Sequence, residues 1–598
     1  MVAGASLLPL SCTSDAVLDS LDPLYYPPSL TGLRGSHPGS NTHAHARAWT
    51  QKSDWGPITT LQETYDLVVV GGGISGLAAA YFYQQKHGAD KKVLILDNHD
   101  DFGGHAKRNE HNIDGQLRLG HGGSQSIVEP KHASTQVRAL LDDLGLNLEK
   151  FKVAYDKDFY KRNNLGAVTY FNKASFGEDK IVKHPYCNYP NYIEGIIMGD
   201  KESNEQAARQ APLSDKGRAQ LLNVLNGGLH KINVPKEQLQ TYINSTPYFD
   251  YLKNTLGVDD PQVLLMARNS GLDWAGSGTD IMSIAAAKAC GAMGFAPKAV
   301  YDEDNPYIYH FPDGNATVAR SMVKKMIPQV TDVQNGDEIV LATFKYRELD
   351  KAANTVRIRL NSTVVNVAHV EKAQDADEVL VQYVNENKSY QVKARKVVMA
   401  CYNMMIPHIV SGLPEAQSAA LRLQTKSPLQ YTTLGLRNWK ALKEMEIGMA
   451  MSPGNMHQAM LMDFPVSMGG YDYTKNPDSP CVLQMIACPY GTMGAPARDQ
   501  YKEARYKMLS LTFADYESEI REHLTGMLPP ELFDFDRDVA SITVNRWAHG
   551  YTVSGGGDSV QIGRQPFGRI AIANCDSGSE SDAKTAIDMA WRAVNELG

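Results

Sequence analysis

Residues Tyr65 to Asp97, YDLVVVGGGISGLAAAYFYQQKHGADKKVLILD, restrict the fold more than any other stretch of the chain. An apolar run from Leu67 to Val70 enters Gly71-Gly72-Gly73-Ile74-Ser75-Gly76, a small-residue helical pattern follows, and a second apolar run, Val93 to Leu96, ends at Asp97. That order of signals predicts strand, tight turn, helix and strand, the opening of a Rossmann-like α/β unit. Each glycine has its own physical role, since Gly71 permits the turn, Gly73 admits a pyrophosphate to the backbone, and Gly76 lets the helix pack on the strand. The helix N-terminus, with Ile74 and Ser75 in its first turn, attracts the anion. Asp97, followed by Asn98, lies about 20 residues beyond the last glycine, where an acid binds a ribose hydroxyl pair. A flexible glycine loop would lack this flanking strand, helix and acid, so a dinucleotide site is expected.

The chain has 598 residues, 43% of them hydrophobic and 21% charged, enough for two or more cores. A net charge of -8 leaves no basic footprint for DNA or RNA, whereas an acidic surface favours a cationic substrate or a basic redox partner. Seven cysteines are scattered without metal-ligand spacing. No apolar run approaches the roughly 18 residues of a membrane span. The start, Met1 to Cys12, is short, apolar and small-residued and reads either as an ordinary tail or as the latter half of a secretory signal without its basic region; the second reading is favoured and makes the protein periplasmic.

Residues 13 to 60 are rich in Pro, Gly, Ser and His and are expected to form an irregular arm over the body. His37, His43 and His45 fall close together there, with Trp49 and Trp55, and read either as a solvated loop or as a ligand-bearing arm reaching a metal or haem. Past Asp97, Gly103-Gly104-His105 brings a glycine doublet near the dinucleotide, Lys107 and Arg108 are placed to neutralise phosphate, and Gly122-Gly123-Ser124 adds a second glycine loop.

Several separated segments resemble the flavin amine oxidoreductase superfamily. The glycine fingerprint continues past its acid into the GG motif at Gly103-Gly104; Val356 to Val367, VRIRLNSTVVNV, resembles the strands that return to the dinucleotide domain; Ala394 to Ala400, ARKVVMA, resembles the strand that leads out again. Arg546-Trp547, then Gly568 to Asp576 and a helix from Ala583 through Ala586, is similar to the closing motif. The resemblance implies FAD, with Val364 and Val365 near adenine, Asp576 on the ribityl chain and the helix N-terminus facing the flavin pyrimidine. It also implies a Rossmann-like FAD domain (61–130, 315–410 and 539–598) interleaved with an α+β substrate domain (131–314 and 411–538). The arm sequence TGLRGSHPGS and the stretch RLGHGGSQSIVEP narrow the likeness to a haem-bearing, polyamine-dehydrogenating branch. This implies a b-type haem, His37 being favoured as its ligand and His45 second.

Within the insertions, Thr135 to Leu144 carries helical signals, His184 to Tyr192 is a Pro/Tyr-rich loop, Ile281 to Ala292 is a small-residue run, and a methionine stripe from Met445 to Met468 surrounds His457. Such stripes usually fill a core. The implied chemistry is removal of a hydride from an amine, a small-molecule polyamine, held against the flavin, with electrons leaving for haem or an external acceptor. The substrate pocket should be aromatic near the ring and acidic further out; Trp547 and Tyr551 are aromatic candidates and Glu129 an acidic anchor. The alternatives are a flavin desaturase or isomerase with an apolar substrate, and a polyamine-binding protein with structural FAD.

The sequence departs from the superfamily in places. Many members carry a lysine near flavin N5 on a strand before an aromatic-tryptophan pair; here SPLQYTTLGLRNW ends in Asn438-Trp439 with Lys426 upstream, so no such lysine is assigned. His105 stands where arginine often follows the GG pair, and Asn574-Cys575-Asp576 replaces Gly-Glu. Non-covalent binding of FAD is expected. No second complete GxGxxG occurs in a strand-turn-helix setting, which argues against a nicotinamide site.

Overall fold

A computed structural model describes residues 25–188, 202–271, 276–295, 309–334, 336–553 and 557–598. The export-signal reading, and part of the Pro/Tyr-rich loop near Tyr192, lie outside the described residues. Among those described, no helix is long and apolar enough to cross a membrane.

The molecule is built on two sheets. Strand Ile58–Val70 is central to the first, pairing in parallel with Val93–Leu96 on one side and Lys388–Met399 on the other. Val68, Val69, Leu94 and Ile95 are fully buried, the pattern of a parallel strand covered on both faces. Val356–Arg359 extends the sheet beyond Val93–Leu96, and Val379–Asn385 and Ser362–His369 continue it antiparallel from Lys388–Met399. Ile570–Ile572 adds a parallel partner to the end of Lys388–Met399. Three separated chain segments therefore converge on one nucleotide-binding sheet. Helix Ile74–His87 follows the glycine loop, and helix Ala583–Glu596 packs against it, with Ser75 Oγ donating to the Ala586 carbonyl at 3.0 Å. Small residues there, Ala590 and Ala593, are fully buried and let the two helices approach.

The second sheet has eight strands. Its order is Gly32–Gly35, Val539–Thr552, Lys426–Leu436, Cys481–Ala487, Ala459–Met462, Ile447–Met451, Gly166–Phe171 and Lys180–Val182. Two expectations need correction. Strand Val539–Thr552, expected in the nucleotide-binding part, runs beside Lys426–Leu436 in this sheet, because its apolar residues Ile542, Val544 and Trp547 face the same core as Leu434 and Tyr431. The arm is not irregular: Gly32–Gly35 pairs in parallel with Thr543 to Arg546, and Thr42–Trp49 is helical. Its composition masks a strand that satisfies backbone groups only by joining a distant sheet edge. Among the described residues the insertion before residue 314 carries more helix than strand, including Thr135–Asp143, where Ser134 caps the helix by accepting from the Val137 amide. Met449, Met451, Met460 and Met462 are buried in the sheet core, as the stripe predicted.

Candidate functional site

A cavity of about 360 Å³ runs between the two sheets. At one end it is bounded by Gly71, Gly73, Ile74, Ser75, Leu96, Asp97, Asn98 and the first residues, Ser362 to Val364, of a strand of the nucleotide-binding sheet. Gly104, His105, Gly123, Ser124, Asp576, Ala583 and Ala586 form its middle. Leu429, Tyr431, Leu461, Ile486, Trp547 and Tyr551, all from the eight-stranded sheet, close the other end. Most residues singled out in the sequence thus border one continuous space.

The three glycines of the loop separate by physical role. Gly71 has φ +111°, and a Cβ there would come 2.7 Å from the Ala400 carbonyl oxygen. A Cβ at Gly76 would collide with the Gly71 carbonyl oxygen, so this glycine serves helix-strand packing and does not itself line the cavity. At Gly73 the nearest protein atom to a Cβ is 3.7 Å away, on Gly104. Protein packing does not demand a glycine at that position; a side chain there would enter the cavity. Together with the helix N-terminus this cradle fits a dinucleotide pyrophosphate.

Asp97 accepts from the Gly72 amide at 2.6 Å and the His99 amide at 2.8 Å. Burial alone would raise its pKa, but the His99 contacts and Lys107 outweigh this and hold it below the usual carboxylate range. His105 bonds to the Tyr402 hydroxyl at 3.1 Å and lies 4.7 Å, ring to ring, from Trp547; burial, reinforced by Lys426, pushes its pKa down to about 3, so the ring is neutral. The Gly122-Gly123 pair lets Trp547 close in: its indole donates to the Gly122 carbonyl at 2.6 Å, and a Cβ on Gly123 would lie 2.8 Å from Nε1.

Lys426 is a cavity residue that its spacing along the chain did not reveal. It lies on the wall with its ammonium 2.7 Å from Asp576 Oδ1, which also accepts from the Thr552 hydroxyl at 2.8 Å; Asp576 Oδ2 accepts from the Asn403 amide at 3.0 Å. Burial opposes ionisation of Asp576, yet Lys426 and these donors together keep its pKa low. A signal was available: Lys426 is the first residue of a strand whose every member is buried. Cys575 also borders the cavity, and burial raises its thiol to about 11, which keeps it protonated.

Other expected site residues lie elsewhere. Lys107 donates to the Asp101 and Phe102 carbonyls, and Arg108 pairs with Glu110 and Asp313, so their charges organise the Gly103-Gly104 turn and the core instead of lining the cavity. Gly122 lies behind Trp547, outside the lining. Val365 faces Trp55 and Val384 on the opposite side of the strand from Val364, as side-chain alternation requires. Glu129 is partly exposed beside His132, away from the cavity, and is not positioned as an acidic anchor. His37 is occupied on both ring nitrogens, by the Pro38 carbonyl and by Asp100, and lies outside the lining. His45 borders the cavity and stacks on Trp49 at 3.9 Å. His457 is locked by Glu519 at 2.6 Å on one nitrogen, with Gln430 and Thr432 on the other.

The NAD(P)-binding Rossmann-like domain family matches residues 69–144. A putrescine oxidase bound to putrescine is similar in structure, 14% identical, with a TM-score of 0.51 over 90% of this chain and 99% of that one. A putrescine oxidase redesigned for cofactor binding matches at 16% identity and TM-score 0.51, with the same coverage. The fold is that of the amine oxidases. A cyclohexylamine oxidase from Brevibacterium oxydans agrees, 14% identical with a TM-score of 0.50 over 89% of this chain and 98% of that one. Comparison with curated protein sequences finds no match.

Proposed function

We propose that this chain is an FAD-dependent amine dehydrogenase acting on polyamines, similar to bacterial spermidine dehydrogenase. The observation that carries this reading is a continuous cavity that joins a dinucleotide cradle to an apolar, aromatic chamber. FAD, held by the glycine loop, Asp97, Val364, Asp576 and the Ala583 helix, supplies two-electron oxidation when bound. The protein's part is to seat a neutral amine nitrogen against the chamber walls, exclude water there, and keep Lys426 and Asp576 as an internally balanced pair. Loss of a hydride and a proton converts the C-N bond to an imine, which water hydrolyses to an aldehyde and a smaller amine; the electrons pass to an external acceptor. Of the described lining residues, the carboxylates are Asp97, Asp576 and Asp582, each already accepting from the protein. A distal ammonium is therefore met by the faces of Tyr431, Trp547 and Tyr551.

That same shortage of uncommitted carboxylates favours a second reading, a flavin desaturase with an apolar substrate. Haem fits His45 better than His37, whose ring nitrogens are both engaged, and no step is routed through it. Anaerobic mixing of the purified holoprotein with spermidine separates these cases. Bleaching of the flavin band supports the dehydrogenase; tight binding without bleaching leaves a polyamine-binding protein, and neither leaves the desaturase. A Soret band in the same spectrum, abolished in His45→Ala, supports haem on the arm, and recovery of the protein in the periplasmic fraction supports export.

A further inference from the structure

Beside the chamber lies a second polar centre that the amine chemistry does not use. His121, immediately before the Gly122-Gly123 pair, His310 in the short strand Tyr309–His310, and Asp463, just after strand Ala459–Met462, come together from chain positions far apart in sequence. One ligand atom from each lies within 4.8 Å of the other two. The His310 Nε2 to Asp463 Oδ1 separation is 3.8 Å, and the two imidazoles stand edge to face at 5.1 Å. Both histidines are at least 98% buried. No nitrogen of His121 or His310 and neither polar atom of the Gln484 amide makes a hydrogen bond of good geometry, although the Gln484 amide and the Gly123 backbone lie close enough to His121 to interact weakly with it.

Buried polar atoms without well-formed hydrogen bonds are costly, because each gives up its water without a full replacement. Structures rarely tolerate that unless something fills the centre. The donor set names the occupant's chemistry. Two imidazoles and a carboxylate, with an amide oxygen available as a fourth donor, suit a first-row divalent ion. A tetrahedral zinc with bonds of about 2.0–2.1 Å places its ligand atoms roughly 3.4 Å apart, so closure asks side-chain shifts of about an ångström.

We propose that His121, His310 and Asp463, with Gln484 as a fourth donor, form a buried structural site for Zn²⁺. Its place in the fold gives it a role. Gln484 stands opposite Leu461 and two residues from Ile486, on the sheet face that lines the chamber, and His121 touches the ring of Tyr431 at 5.6 Å. The ion would tie the loop beside Trp547 to the chamber wall. The site is distinct from the flavin cavity, whose lining includes none of these four residues, and it does not rest on the amine reading.

The test is metal content of the purified holoprotein after exhaustive chelation and refilling with Zn²⁺ alone. One zinc per chain is expected, with a higher Tm in the refilled than in the chelated sample. His121→Asn and His310→Asn should each weaken zinc binding on the order of a hundredfold. Refilled wild-type protein without zinc, or undiminished zinc in both variants, overturns the proposal. Should the variants fail to fold, Co²⁺ added to chelated wild-type protein decides: tetrahedral d-d absorption is expected, and its absence overturns the site equally.

Discussion

Around the cavity, the nucleotide-binding sheet contributes backbone at Gly71, Gly73 and the adjoining Gly104, whereas the eight-stranded sheet contributes side chains, among them Lys426, Leu429, Tyr431, Leu461, Ile486 and Trp547. The first arrangement recognises a charge through amides that any sequence possesses, provided glycine lets the ligand near. The second depends on which side chains a long-range assembly happens to bring together. Backbone recognition is written in a short stretch; side-chain recognition is spread over strands that meet only in the folded molecule.

Lys426→Met should do the most damage. The Lys426-Asp576 pair has side chains only 4% and 2% exposed, so removing the ammonium strands a buried carboxylate, a loss of about 3–5 kcal/mol by denaturant unfolding. Adding Asp576→Asn should restore part of it. Because the folded-state pKa of Asp576 is lowered, its stabilisation is complete above the ordinary carboxylate range and is lost as pH falls through the lowered value. Lys426→Met should flatten that acid limb of the stability profile.

Gly76→Ala comes next. Its Cβ meets the Gly71 carbonyl, a backbone atom that cannot turn aside, and overpacking of this kind costs about 1–3 kcal/mol. Thermal unfolding of the cofactor-free protein reads this directly. Gly73→Ala sharpens the contrast, since its Cβ has 3.7 Å of room: the cofactor-free protein should keep its stability within about 0.5 kcal/mol. Flavin affinity in an equilibrium titration should nevertheless fall on the order of tenfold or more, about 1.4 kcal/mol. The smallest effect belongs to Glu129→Gln, within about 0.5 kcal/mol in stability and without change in KM, because the side chain sits at the surface beside His132. A large rise in KM would return Glu129 to the substrate path.

The same contrast explains what could be read before the structure. Tyr65 to Asp97 disclosed its strand, turn and helix, and even the division of labour among its glycines, because neighbours in sequence do all of that work. Val364, on a strand of that sheet, and Asp576, just past another of its strands, were legible as cavity residues only through family likeness, being distant in sequence from the glycine loop. The strand at Gly32–Gly35 was hidden because its partner lies some five hundred residues away, at Thr543 to Arg546. Lys426 stayed hidden because spacing along a strand does not show which wall it faces, and Lys107 was misplaced because carbonyls of the nearby turn outcompete a ligand for its ammonium. The centre formed by His121, His310 and Asp463 left no trace in spacing at all.

The most direct test of a flavin dinucleotide in the shared cavity is the absorption spectrum of the purified protein, followed by denaturation and identification of the released cofactor, for wild type and Gly73→Ala side by side. The account predicts FAD released by denaturation from the wild type and less FAD per chain from a folded Gly73→Ala, whose affinity in titration is on the order of tenfold or more weaker. A wild-type protein that releases a nicotinamide dinucleotide, or a Gly73→Ala protein that retains full FAD, would contradict it.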